Sequence, residues 1–230
     1  MSLTLALLSL SLAAQDLPLP GEVLRCGTDR SAATALCQAV VAQEEGRHEN
    51  SATFFEQAAS LSGADSGQAS RALVAAGNMW MLAGDAAKAA SVIDKALALA
   101  VLDPTQRGLA LMDRARVSAM ALEPAAATSF ARQAQVLIPD DPFPWYFTAG
   151  LALYAGKHEE AKVDIDRALA LAADSADVLL RAAAIAEALG DDMAMRTYLE
   201  QAAATPESES SARAARLLAL LNQPRQESPE

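Results

Sequence analysis

The amino-acid sequence predicts an all-α protein in which pairs of helices follow one another along the chain. Hydrophobic residues make up 52% of the 230 residues, alanine dominates that fraction, and only 4% of the residues are aromatic. Alanine is the best helix former, and so few aromatic residues leave little with which to pack a β-sheet. In addition, glycines recur between apolar stretches, each followed by polar residues. A glycine that ends a helix adopts a left-handed conformation, so this pattern indicates helix–turn–helix pairs.

Four glycines mark the expected corners between the two helices of a pair: Gly46, Gly84, Gly156 and Gly190. Gly156 and Gly190 are 34 residues apart, and Gly46 and Gly84 are 38 apart. A further copy fits between them with Leu122 at the corner position. We therefore expect five hairpins.

The helix after each corner repeats the same order of small and large side chains. Five residues past the corner the side chain is small in four of the copies, and nine past it the side chain is bulky in four. Steps of four and three residues keep these positions on one helix face, which lets the helix pack closely against its neighbour. Twelve residues past the corner every copy has alanine: Ala58, Ala96, Ala134, Ala168 and Ala202.

This pattern resembles the tetratricopeptide repeat, a helical hairpin of about 34 residues. The fourth copy matches best, with Trp145 at the first position, Ala149 at the close-packing position, the corner at Gly156 and then Ala161 on the second helix. The resemblance covers about residues 32–207. It implies a right-handed superhelical solenoid of about five repeats, whose first helices line a concave groove that holds a protein or peptide.

The segments outside the repeats have compositions of their own. Before the first repeat, proline and glycine indicate an irregular lead-in. After the last repeat, an amphipathic stretch predicts a helix that covers the open face of that repeat. The polar residues at the end of the chain predict disorder. The predicted divisions are a signal peptide over 1–14, the lead-in over 15–31, the repeats over 32–207, the capping helix over 208–222 and the tail over 223–230.

The first fourteen residues predict export. They carry no charge and are rich in leucine, which is typical of a signal peptide cleaved near Ala13 or Ala14, and they are too short to span a bilayer. An amphipathic or buried first helix is the alternative. Cleavage implies a periplasmic or secreted protein, whereas an uncleaved segment implies a cytoplasmic one. In an oxidising compartment Cys26 and Cys37 would form a disulfide, the alternative being two small buried side chains.

The charge and motif content narrow the function. A net charge of -11 and a pI near 4.6 argue against nucleic acid and against anionic membrane surfaces. The sequence contains no recognisable catalytic constellation, metal-ligand set or cofactor motif. We therefore expect a protein that is not an enzyme and needs no cofactor.

A cluster of aromatic residues is the first candidate binding feature. Phe143, Tyr146, Phe147 and Tyr154 exceed what the repeat pattern requires, and the resemblance places Phe143 and Tyr146 toward the groove. Aromatic groups bury a large area at low entropic cost, so they suit a binding surface. A locally wider core is the alternative.

Polar residues on the first helices are the second candidate feature. Asn78, Arg116 and Arg181, together with Arg71, fall at positions that face the groove in this family and could hold a carboxylate or a peptide backbone. A solvated surface is the alternative. Val74 replaces a lysine that chaperone-binding members use, so a chaperone C-terminus is not expected.

These features predict a non-catalytic adaptor or scaffold that binds a protein or peptide within a cell-envelope assembly. Two alternatives stay open: binding of a small ligand such as a glycan fragment at the aromatic groove, and a structural subunit that assembles with itself. The sequence sets neither the partner nor the oligomeric state.

Overall fold

The computed structural model describes residues 25–223. Over this range the chain forms helices and no strand, which confirms the predicted all-α fold. The predicted signal peptide, most of the lead-in and nearly all of the tail lie outside the described residues. The chain divides into two compact units, with the division between Asp103 and Pro104.

The first unit contains two helical hairpins. Each helix packs against the next one along the chain. A disulfide joins Cys26 to Cys37 in the first helix, with an S–S distance of 1.98 Å and a Cα–Cα distance of 5.5 Å. The four helices are α1 (Ala32–Glu44), α2 (His48–Leu61), α3 (Ser66–Leu82) and α4 (Ala86–Ala98).

The second unit contains three hairpins and a terminal helix. The helices of each hairpin pack together, and the terminal helix packs on the last hairpin. The seven helices are α5 (Pro104–Met120), α6 (Pro124–Leu137), α7 (Pro142–Tyr154), α8 (His158–Leu171), α9 (Ala176–Ala188), α10 (Asp192–Ala204) and α11 (Glu209–Leu221). In the described part of the chain, no helix combines the length and apolarity that crossing a membrane demands.

The corners between paired helices share one backbone conformation. The four corner glycines have φ angles between 71° and 82°, in the left-handed region. Leu122 occupies the remaining corner, the third along the chain, with φ 60°, although a side chain is disfavoured there. The hydrogen bonds around it match those of a glycine corner, because the residue after the corner donates to a carbonyl five positions back in both cases (Glu123 to Ser118, 2.9 Å; Lys157 to Ala152, 2.9 Å).

Small side chains allow the helices of a hairpin to approach closely. The five alanines that stand twelve residues past the corners are fully buried. In the first unit, a Cβ atom added to Gly77 on α3 would lie 2.3 Å from Cγ1 of Ile93 on α4. The repeat pattern therefore works by leaving space for the neighbouring helix.

A network of polar side chains links three helices of the second unit. Arg132 on α6 donates to both oxygens of Asp164 on α8, at 2.6 and 2.8 Å, and Asp164 is only 1% exposed. Arg132 also donates to Gln135, whose amide donates to Thr148 on α7 at 2.8 Å. Because a buried carboxylate is costly without a partner, this network holds neighbouring hairpins in register.

Candidate partner-binding site

The second unit contains an open cavity of about 560 Å³. Most of its lining residues belong to α9 and α11, and Tyr146 and Leu153 of α7 and Met195 and Leu199 of α10 complete the lining. Apolar and charged side chains both line it, which is the composition expected of a binding pocket rather than of a packing defect.

Three aromatic side chains form one face of α7 beside this cavity. The rings of Phe143 and Tyr146 stack with centroids 6.2 Å apart, and those of Phe143 and Phe147 are 6.1 Å apart. Spacings of three and four residues place them on the same side of the helix. Phe143 is 42% exposed while Tyr146 and Phe147 are half-buried, so the face is packed at its base and open at its edge.

The guanidinium of Arg181 is held against this face. It donates from Nη2 to the Tyr146 hydroxyl oxygen at 2.8 Å, and its Cζ lies 4.4 Å from the centroid of the same ring. It also fills the space above Gly150, since an added Cβ atom there would lie 1.9 Å from Nη1. A cation fixed in this way loses little side-chain entropy on binding an anion.

Helices α9 and α11 run side by side in the same direction. Ser210 at the start of α11 donates to the carboxylate of Asp177 at the start of α9. Asn222, just past the end of α11, accepts from Arg196 near the start of α10, which follows the end of α9. An offset of about 33 residues therefore relates facing positions on the two helices.

That offset places two arginines of the cavity at one level and the leucines of α11 beyond them. One turn from Asp177, Arg181 of α9 and Arg213 of α11 come to the same level, and both line the cavity. Leucines follow toward the end of α11. They are Leu217, Leu220 and Leu221, all of them exposed, and Leu220 is 61% exposed.

The structure brings only some of the predicted site residues together. Tyr146 and Arg181 touch each other and line the cavity. The ring of Phe143 stacks on that of Tyr146, and the ring of Phe147 lies near that of Phe143. Tyr154 is 89% exposed and is not among the lining residues.

The remaining predicted residues stand apart from this group. Arg116 on α5 pairs with Asp113 of its own helix at 3.3 Å. Asn78 is half-buried on α3 of the first unit.

Sequence reasoning missed the contribution of α11. Its apolar positions predicted a cap for the last hairpin, and Ala214 is indeed buried there. The signal that could have found the site was Leu220, because a cap needs one apolar stripe and this leucine of α11 lies outside it.

Comparison with solved structures identifies the fold. YrrB, a TPR protein with an unusual peptide-binding site, matches with a TM-score of 0.61 and 18% identity over 81% of this chain and 93% of its own. PilW, a type IV pilus biogenesis factor, matches with a TM-score of 0.66 and 22% identity over 81% and 83%. Pseudomonas aeruginosa PilF matches with a TM-score of 0.66 and 18% identity over 82% of each chain.

These likenesses and the geometry define an all-α protein built from repeated helical hairpins. The fold is the one that the TPR protein YrrB adopts, which confirms the fold class that the sequence pattern predicted. No protein-family model matches the chain. Nor does any curated protein match it in sequence.

Proposed function

We propose that this chain is a non-catalytic adaptor that binds a protein or peptide segment on the face formed by α7, α9 and α11. The observation that carries the proposal is the open cavity beside the aromatic face of α7, with Arg181 already fixed between them. Preformed aromatic and cationic groups bind at low entropic cost. The named peptide-binding site of YrrB, on the same fold, agrees with this use.

A cell-envelope location is part of the proposal. The uncharged, leucine-rich start of the sequence is typical of an export signal, and the Cys26–Cys37 disulfide suits an oxidising compartment. PilW, which shares the fold, is a pilus biogenesis factor. Fractionation of a bacterial host and N-terminal sequencing test the location: we expect an envelope protein that begins after Ala13 or Ala14. A cytoplasmic protein that retains Met1 would contradict it.

Site-specific photo-crosslinking tests the binding face. A photoreactive phenylalanine analogue replaces Phe143 on α7 in one variant and Val163 on α8 in the other, where Val163 is 69% exposed but lies on a second helix of a hairpin. In an envelope extract we expect position 143 to crosslink a discrete protein that position 163 does not. Equal products from both positions would show that the face has no special role.

A second pair of variants separates recognition from folding. Phe147→Ala, which removes a ring that lies 6.1 Å from that of Phe143, is compared with Tyr154→Ala, which removes an exposed ring of the same helix that does not line the cavity. We expect only the first to lose the crosslinked partner, with unchanged circular dichroism in both. Saturable binding of a glycan fragment without any protein partner would instead support the small-ligand alternative, and a concentration-dependent oligomer would support self-assembly.

A further inference from the structure

Along the cavity between α9 and α11, two arginines are followed by exposed leucines, and this arrangement favours one class of peptide. Arg181 and Arg213 lie at one level, and the exposed leucines of α11 follow within about two turns. A carboxylate pairs with a guanidinium through two hydrogen bonds, and leucines favour an apolar neighbour. The arginines and the leucines lie close enough together for one short peptide segment to contact both.

We propose that this cavity binds a peptide segment in which an acidic side chain adjoins an apolar one, with the acidic group held by Arg181 and Arg213 and the apolar group packed on Leu217 and Leu220. This assignment rests on the proposed function and names the class of partner. The protein as a whole carries a net charge of -11, so the attraction for an acidic group comes from these two arginines and not from the overall charge.

Two carboxylates also line the cavity, one on each side of the arginines along α9. Asp177 lies at the start of α9 and accepts a hydrogen bond from Ser210. Glu187 lies six residues after Arg181, which is roughly 9 Å along the helix axis, and the offset of about 33 residues puts it at the level of Leu220. Along the helix axis, the two arginines therefore lie between the two carboxylates. The acidic side chain of the peptide binds at the position of the arginines.

Gly150 makes the position of Arg181 testable without removing its charge. In Gly150→Ala the new methyl group would occupy the place of Nη1, so the guanidinium must move away from Tyr146. Only the flexible end of a side chain gives way, and alanine is the better helix former, so the fold is retained. Arg216, an exposed arginine of α11 that does not line the cavity, supplies a matched control for Arg213.

The test selects phage-displayed random peptides of about twelve residues on the purified protein and measures affinities of the enriched peptides by fluorescence polarisation. We expect enriched peptides to share an acidic residue beside an apolar one. Replacing the acidic residue by its amide should weaken binding about tenfold or more, as should Arg213→Gln and Gly150→Ala. Arg216→Gln should bind like the unaltered protein, and thermal unfolding should show that all three variants fold.

Other outcomes overturn the assignment in distinguishable ways. Enriched peptides that lack the acidic residue, or that bind Arg213→Gln unchanged, refute the partner class and leave the adaptor function standing. Absence of any enriched peptide counts against both. A dimer in sedimentation that Leu220→Ser abolishes would assign the cavity to a second copy of the chain and would also refute the proposal.

Discussion

The corner at Leu122 should be strained, and relieving the strain should stabilise the second unit. Leu122 has φ 60°, where a side chain costs about 1–2 kcal/mol relative to the right-handed region. Glycine removes that cost but loses about 0.5–1 kcal/mol more conformational entropy on folding. The side chain is 88% exposed, so little apolar contact is lost. We expect Leu122→Gly to raise the free energy of unfolding by about 0.5–1 kcal/mol.

The measurement is urea unfolding followed by circular dichroism, supported by calorimetry, where the gain corresponds to a shift in Tm of about 1–4 °C. Gly156→Leu is the converse variant, because Gly156 has φ 71° and the same hydrogen bonds around it. It should lose about 1 kcal/mol. Leu122→Ala is a control that keeps the strain and should change little. A Leu122→Gly protein less stable than the original would refute the argument that the corner is strained.

Three further substitutions test the packing, the buried ion pair and a helix cap. Gly77→Ala should destabilise the first unit by about 1–3 kcal/mol, since the new methyl group would clash with Ile93, and urea unfolding would measure the loss. Asp164→Ala should cost about 1.5–3 kcal/mol because it removes the two hydrogen bonds that Arg132 donates to this buried carboxylate, a value that a double-mutant cycle with Arg132→Ala would check. Asp85 accepts a hydrogen bond from a backbone N–H in the first turn of α4, which lowers its pKa below 3.8. The stability that this hydrogen bond contributes is present above 3.8, the ordinary pKa of the group, and is lost as the pH falls through the lower pKa of the folded state. Asp85→Asn should therefore reduce the loss of stability between about pH 6 and pH 3. An unchanged loss would contradict the cap.

The hairpins could be predicted because their causes are local. A glycine at a corner and alanines at fixed steps act within one hairpin. Their spacing along the chain is therefore enough to predict where the two helices of a hairpin lie and which faces pack together. Even the corner at Leu122 could be located from the spacing of its neighbours. Its left-handed backbone could not be, because leucine has no local preference for that conformation and adopts it only where the surrounding helices require it.

The candidate site was only partly predictable. Both Tyr146 and Tyr154 were predicted to bind, yet the structure gives Tyr146 a place in the cavity wall and leaves Tyr154 exposed at the end of α7. The two differ by eight residues, which is slightly more than two turns and rotates the second ring away from the first. Which direction faces the cavity depends on where α9 packs, and the sequence of α7 alone does not contain that information.

The sequence by itself determined the all-α class, the repeat and the corners, since these follow from helix propensity and from periodicity within about 34 residues. The tertiary structure alone decided that Arg181 lies on Tyr146 above Gly150, and that the leucines of α11 and Arg213 complete the cavity. The physical reason is that these side chains come from helices more than thirty residues apart. Their meeting depends on how hairpins stack, which is set by the fit of many small buried side chains rather than by any local pattern.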